Sequence, residues 1–396
     1  MTNALARLNR TIFVLAGLHF LVDSYGNIYA PLLPLLIPRL HFSLAIAGTL
    51  TMCYQIAASM SQLGFGHLAD HWKPRVLVVG GPLVAIVVLS LIGLSTSTLM
   101  LAGILVVGGL GGAAFHPPTA AMVHRLSGER RGLGMALHIS AGSTGIAFGP
   151  LLAAPLIGRL GLAWTPILAV PSLCLAALLI PRVPRIDPGH ERSGGSGLAV
   201  LRPYASPLGR LYVIIALRTL VWLSFLTFLP VLLTARGESV GLAGVTIALF
   251  LASAGIGGFF GGVIADRHGP KPVIIGTLVM ALPFLLLLPR ATGWSFFVAL
   301  ALAGFLLQST LPVTVTFGQS LAPVRAATVS SLMMGFAWGT GGLLVPLVGF
   351  LADRIGIAPT LTMVTVVLPA AVLLALTLPR GFGGTPAPAG GEAVPA

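Results

Sequence analysis

Three polar side chains interrupt an oily run near the start of the chain: His19, Asp23 and Asn27, within "GLHFLVDSYGN". Spaced i, i+4, i+8, they share one face if the segment is helical. The surrounding run, residues 11–38, exceeds the roughly 20 residues a helix needs to cross a bilayer. A carboxylate near the middle of such a helix costs about 3 kcal/mol on insertion scales. Lipid cannot solvate it, so this face should look into a bundle or a water-filled cavity. Asp23 is thus a candidate proton carrier.

A charge of opposite sign stands far along the chain, in "VIIALRTLVWLSFLTFLPVLL". Arg218 is the only Lys or Arg inside an apolar run of spanning length. A guanidinium grips a carboxylate or phosphonate through two parallel hydrogen bonds, which makes Arg218 a candidate anchor for an anion. If Asp23 and Arg218 pair, substrate and Asp23 compete for one cation, and that competition exchanges protons for substrate. A pair that merely braces the bundle is the other reading.

His116, in "AAFHPP", either faces a cavity or bonds carbonyls freed by its two prolines. His19 and His138 are weaker candidates for proton handling. His41, His67, His71, His124, His190 and His268 fall at loops or helix ends and read as solvated. No histidine pair has a metal-ligand context, and the two cysteines, Cys53 and Cys174, read as small apolar packing residues.

The elements that must hold these groups follow from composition. Only 8% of residues are charged, 56% are hydrophobic and the mean hydropathy is +1.00. A soluble chain of 396 residues could not cover its surface with so few charges. Twelve apolar runs of spanning length are expected, at 11–38, 44–66, 76–96, 98–122, 133–157, 163–181, 209–233, 240–264, 272–289, 294–318, 326–351 and 358–379. The first is too long for a signal-peptide core and is expected to remain.

The formal charge of +13 does not indicate nucleic acid. With both termini cytoplasmic, only Arg39, Arg159, Arg236, Arg290 and Arg354 fall in outer loops among the 22 Lys and Arg residues. That is the asymmetry of the positive-inside rule, and no basic run is dense enough for a nucleic-acid patch.

Two halves echo each other. "GHLADHWKPR" and "GVIADRHGPK" each follow the second run of their half, and Pro34 and Pro230, Pro150 and Pro346, Arg130 and Arg325 repeat at a near-constant offset. Asp23 and Arg218 share that offset. The expected organisation is a six-helix unit over 1–181, a cytoplasmic linker over 182–208, a second six-helix unit over 209–379 and a disordered tail over 380–396. Parallel repeats of this kind are a transporter plan, with substrate held between the halves at mid-membrane.

"GGVIADRHGPK" resembles the loop signature of the major facilitator superfamily. "LHFLVDSYGNIYAPLLPLL", "GGAAFHPPTAAMV" and "SAGSTGIAFGPLLAAPL" look like its fosmidomycin-resistance branch, and the likeness covers about residues 10–380. The first loop copy departs from the signature at His71 and at Lys73-Pro74, and Pro118 stands where that branch carries an acid. The resemblance implies an all-α membrane fold of two pseudo-symmetric six-helix bundles, with helices one, four, seven and ten lining the cavity. It places Asn27, His116, Arg218 and Gln308 with substrate, and Asp23, His116 and His19 with protons.

Asp70, Arg75, Asp266, Arg267 and Lys271 then form charged gates at the cytoplasmic helix ends, or else serve as topology anchors. "GIAFGPLLAA" approximates an antiporter element through Gly145, Gly149 and Pro150, with Ala153 and Ala154 replacing its final glycines.

The first function reading is a monomeric, proton-coupled exporter of small drugs or metabolites, fosmidomycin among them, in a bacterial inner membrane. The second is uptake of an organic anion by symport. An enzyme would need a nucleophile or paired acids, and Asp23 is the sole acid in a span interior. No phosphate-binding loop or cofactor motif is found, and duplicated halves sit badly with a channel. The expected partners are a small substrate, protons and the bilayer, with no cofactor, metal or nucleic acid.

Overall fold

The computed structural model describes residues 9–128, 131–185, 198–322 and 325–379, with the backbone alone at Asp70, 131–132, 198–200 and 326–327. Among these residues, twelve helices are long and apolar enough to cross a membrane. They are α1 Arg10–Leu40, α2 Leu44–Ala69, α3 Pro74–Leu94, α4 Thr98–Leu126, α5 Leu133–Leu160, α6 Leu162–Arg182, α7 Leu201–Ala235, α8 Val240–His268, α9 Pro270–Leu287, α10 Gly293–Leu321, α11 Thr328–Ile355 and α12 Ile357–Leu376. Six helices form each bundle, as the sequence leads one to expect. The tail from residue 380 and most of the linker, with Arg192, lie outside the described residues, as do Arg7 and Arg130.

Proline sets the interruptions. The helix of α1 stops at Gly26 and resumes at Tyr29, because Pro31 has no N–H for the Asn27 carbonyl and its ring crowds that oxygen. Asn27 therefore sits in the break and not on the helical face it was expected to share with His19 and Asp23. Pro346 and Pro369 act alike, with α11 breaking at Leu344 and α12 at Val366. Pro117 and Pro118, by contrast, lie in an unbroken helix. Two π-helical segments, Ile56–Met60 in α2 and Ser331–Phe336 in α11, face each other across the halves.

In lipid, apolar burial drives little association, so close backbone approach through small residues has to hold the bundle. Gly145 and Gly149 of α5 press on the backbone of α1 at Phe20 and Ser24, while Gly244 of α8 meets Ala154 and Pro150 of α5. The antiporter-like element thus clamps α5 between α1 and α8. Gly339, Gly342 and Gly349 of α11 lie on α2 at Met60, Gln55 and Leu44.

The halves are tied together at the end opposite the termini. There both oxygens of Asp353 accept from the backbone N–H groups of Leu44 and Ala45, each at 2.9 Å, capping α2 from α11. Deeper in, the hydroxyls of Thr51 and Thr227 are 3.2 Å apart.

Candidate functional site

Two charged centres occupy the interior, one in each half. The first gathers on α1, α4 and α5. Asp23 Oδ2 lies 3.1 Å from His19 Nε2, and Oδ1 lies 3.5 Å from His116 Nε2. The His19 side chain is 12% exposed, Asp23 14% and His116 28%, so the cluster keeps some access to water. His19 and Asp23 meet because they are one helical turn apart. His116 reaches them from α4, its ring edge-on to His19 with centroids 5.1 Å apart. His116 thus turns its Nε2 toward Asp23.

The His138 ring lies 4.1 Å from that of His19. Its backbone oxygen accepts from His19 Nδ1 at 2.8 Å. Gly142, one turn on, leaves room for the cluster: a Cβ there would stand 2.5 Å from His19 Nε2 and 2.6 Å from Asp23 Oδ2.

The second centre is Arg218 on α7, fully buried at 0% exposure. Nε donates to the Leu307 carbonyl at 2.8 Å, and Nη2 donates to Gln308 Oε1. Nη1 has no hydrogen-bond partner among the described residues. The guanidinium carbon lies 5.6 Å from the Trp222 ring centre and 5.7 Å from that of Trp338. Trp222 in turn stacks on Phe250 at 4.5 Å. A delocalised, weakly hydrated cation suits such an aromatic cage.

The expected Asp23–Arg218 pair is therefore not formed. Each charge is satisfied inside its own half, by histidines for the acid and by α10 and two indoles for the base. Gln308 does join Arg218, as the sequence suggested, whereas Asn27 lies in the α1 break. One potential ligand atom each of His19, Asp23 and His116 lie within 4.8 Å of one another, a grouping that the sequence, which showed no histidine pair in a metal-ligand context, did not suggest.

The loop signatures do other work than expected. Arg75 Nε donates to the Val183 carbonyl at 3.0 Å, where α6 ends. Lys271 Nζ donates to the carbonyls of Leu376 and Leu378 at 2.5 and 2.6 Å, where α12 ends. Helix C-termini present unpaired carbonyls and partial negative charge, so each basic residue closes its own half and Lys271 does not reach for Asp266. Asp266 and Arg267 are exposed, and the Asp70 side chain lies outside the described residues.

Sequence reasoning missed Asp353, the Trp222–Trp338 cage and Gly142. Asp353 had a signal: "GFLADRIG" in α11 repeats "GVIADRHG" in α8.

The family follows from comparison with known proteins. Residues 15–346 match the family described as the Major Facilitator Superfamily. The chain belongs to it. It is 30% identical to the fosmidomycin resistance protein of Escherichia coli (strain K12), over 91% of this chain and 94% of that protein. It is 28% identical to the uncharacterized MFS-type transporter YfnC of Bacillus subtilis (strain 168), over 93% of this chain and 92% of the relative. Among solved structures, a bacterial homologue of the human lysosomal transporter Spinster, inward-facing and unoccupied, superposes with a TM-score of 0.79 at 16% identity, covering 92% of this chain and 95% of its own. The nucleoside transporter NupG gives 0.72 at 15% identity over 93% of this chain and 98% of its own. The chain is a multi-pass membrane transporter of this superfamily and not an enzyme.

Proposed function

We propose that this transporter exports small anionic compounds, phosphonates of the fosmidomycin kind among them, from the cytoplasm in exchange for protons. In this reading it works as a monomer in a bacterial inner membrane, with both termini cytoplasmic and the six-helix units joined by the cytoplasmic 182–208 linker. The likeness to a fosmidomycin resistance protein supports the direction and the substrate class.

One observation carries the proton coupling. A carbonyl oxygen only accepts, so the 2.8 Å contact with His138 makes His19 Nδ1 the donor. In a neutral imidazole the other nitrogen then bears a lone pair, and here it points at Asp23 Oδ2 from 3.1 Å. Two lone pairs do not hold that distance, so a proton belongs between them, on either partner. Losing it turns attraction into repulsion and drives the side chains apart. That change acts one turn before the α1 break at Asn27, where the helix is weakest.

Arg218 supplies the complementary grip. Its unpartnered Nη1 is a donor reserved for an incoming oxyanion, and leaving such a donor buried and unpaired costs about 1–3 kcal/mol, which a phosphonate or carboxylate oxygen relieves. With the two charges held in separate halves, exchange runs through the motion of one bundle against the other.

The test uses inside-out vesicles with an acid lumen. Fosmidomycin added outside should release lumenal protons with wild type and not with Arg218→Gln. Substrate accumulation that dissipates no proton gradient would sink the antiport reading, and proton uptake along with substrate would turn it into symport.

A further inference from the structure

We propose that His19 Nε2, His116 Nε2 and the Asp23 carboxylate form a binding site for a divalent transition-metal ion, Zn²⁺ above all, which displaces the exchangeable proton and blocks transport. Binding of the metal stands apart from the direction or cargo of transport, although the block would act through the same three groups.

The geometry is close to that of a metal centre. Tetrahedral Zn²⁺ with bonds of about 2.0–2.1 Å sets its ligand atoms about 3.3 Å apart. His19 Nε2 stands 3.1 Å from one oxygen of Asp23 and His116 Nε2 stands 3.5 Å from the other. With a single Asp23 oxygen as ligand, the three ligand atoms fall within 4.8 Å of one another, so the triangle needs only to contract. His116, the most exposed of the three, has the freedom to close it.

A second observation points the same way. Metal-bound histidines characteristically donate their other ring N–H to a carbonyl or carboxylate, which fixes the tautomer and aims the lone pair. His19 has this arrangement through the His138 carbonyl at 2.8 Å. Gly142 leaves the space beside His19 and Asp23 clear, for any side chain there would enter it.

The ligand set also selects the ion. Two imidazoles and one carboxylate suit Zn²⁺, Co²⁺ or Ni²⁺, whereas Mg²⁺ and Ca²⁺ prefer all-oxygen shells. Three protein ligands leave a fourth position for water, the arrangement of open zinc sites. A dication here takes the place of the proton that the exchange needs.

The experiment titrates the purified, metal-stripped full chain in detergent with Zn²⁺, and with Co²⁺ as a spectroscopic stand-in whose visible absorption reports tetrahedral nitrogen–oxygen ligation. One equivalent per chain is expected. His116→Ala should weaken binding by about 100-fold, the upper end for a disturbed ligand environment. Gly142→Ala, which keeps every ligand but fills the space, should abolish the cobalt band. Each variant is compared with wild type by gel filtration and by thermal unfolding in detergent, so that misfolding is read separately. The exposed pair His67 and His71, with rings 4.3 Å apart, is the competing surface site. Binding that survives His116→Ala, or that disappears in His67→Ala, would overturn the proposal. Loss of proton coupling with metal binding intact would instead sink the transport reading alone.

Discussion

The acid of the first bundle and the base of the second stand at pseudo-equivalent places in a repeated sequence, yet they are built differently. Asp23 keeps partial access to water and its partners are titratable histidines. Arg218 is sealed at 0% exposure among one carbonyl, an amide and two indoles. One centre is suited to exchanging a proton, the other to holding a fixed charge for an anion. The repeat offers two equal positions, and in the proposed mechanism the contacts around each assign them different tasks.

Removing the exchangeable group tests this division most severely. Asp23→Asn keeps the size of the side chain but cannot release a proton at this site. Substrate-driven proton release in vesicles is expected to vanish, while fosmidomycin binding at Arg218 persists. Loss of both together would mean that the centres are not separate. Arg218→Gln is the reverse experiment. Hydrogen bonds to a charged group contribute about 1.5–3 kcal/mol, so affinity for an anion should fall by about 10- to 100-fold. Quenching of Trp222 and Trp338 fluorescence by substrate reads that affinity.

These contrasts show how far the sequence was legible. The twelve spans could be read because a bilayer demands about 20 apolar residues at each crossing, and α1, α5 and α8 emerge close to the expected places. The His19–Asp23 contact was legible too, since helical periodicity alone brings i and i+4 together. The Asp23–Arg218 pair was not a sound expectation. An equal offset in a repeat relates two positions by the symmetry axis, which sets them at matching depth in their own bundles without bringing them into contact. Gly142 was invisible for a related reason: its role depends on which face of α5 meets α1. Arg75 and Lys271 were misread because charge suggested carboxylate partners, while the nearest unpaired acceptors were helix-end carbonyls.

A milder change sharpens the comparison from the side of the acid. Gly142→Ala would put a methyl group 2.5 Å from His19 Nε2, forcing α5 off α1 or separating His19 from Asp23. Overpacking of this kind costs about 1–3 kcal/mol. Thermal stability in detergent should drop, and coupling should weaken more than substrate affinity, since Arg218 lies in the other half. Equal losses of coupling and affinity would count against separate centres.

The smallest effect is expected where the halves are tied. Asp353 spans them by capping the first two backbone N–H groups of α2, at the end opposite the termini, while the paired basic residues of the loop signatures each fasten a helix of their own half. The ends thus differ as the two centres do, one joined across the interface and the other closed within each bundle. Asp353→Ala removes both cap bonds, and a cap contributes about 1 kcal/mol, roughly a fivefold shift in a two-state balance. Cysteine accessibility at the capped end should rise by about that factor, with proton binding at Asp23 and anion binding at Arg218 otherwise intact. An unchanged accessibility would place closure of that end in the glycine contacts between α2 and α11, at Gly349 above all, which packs against the same Leu44 that Asp353 caps.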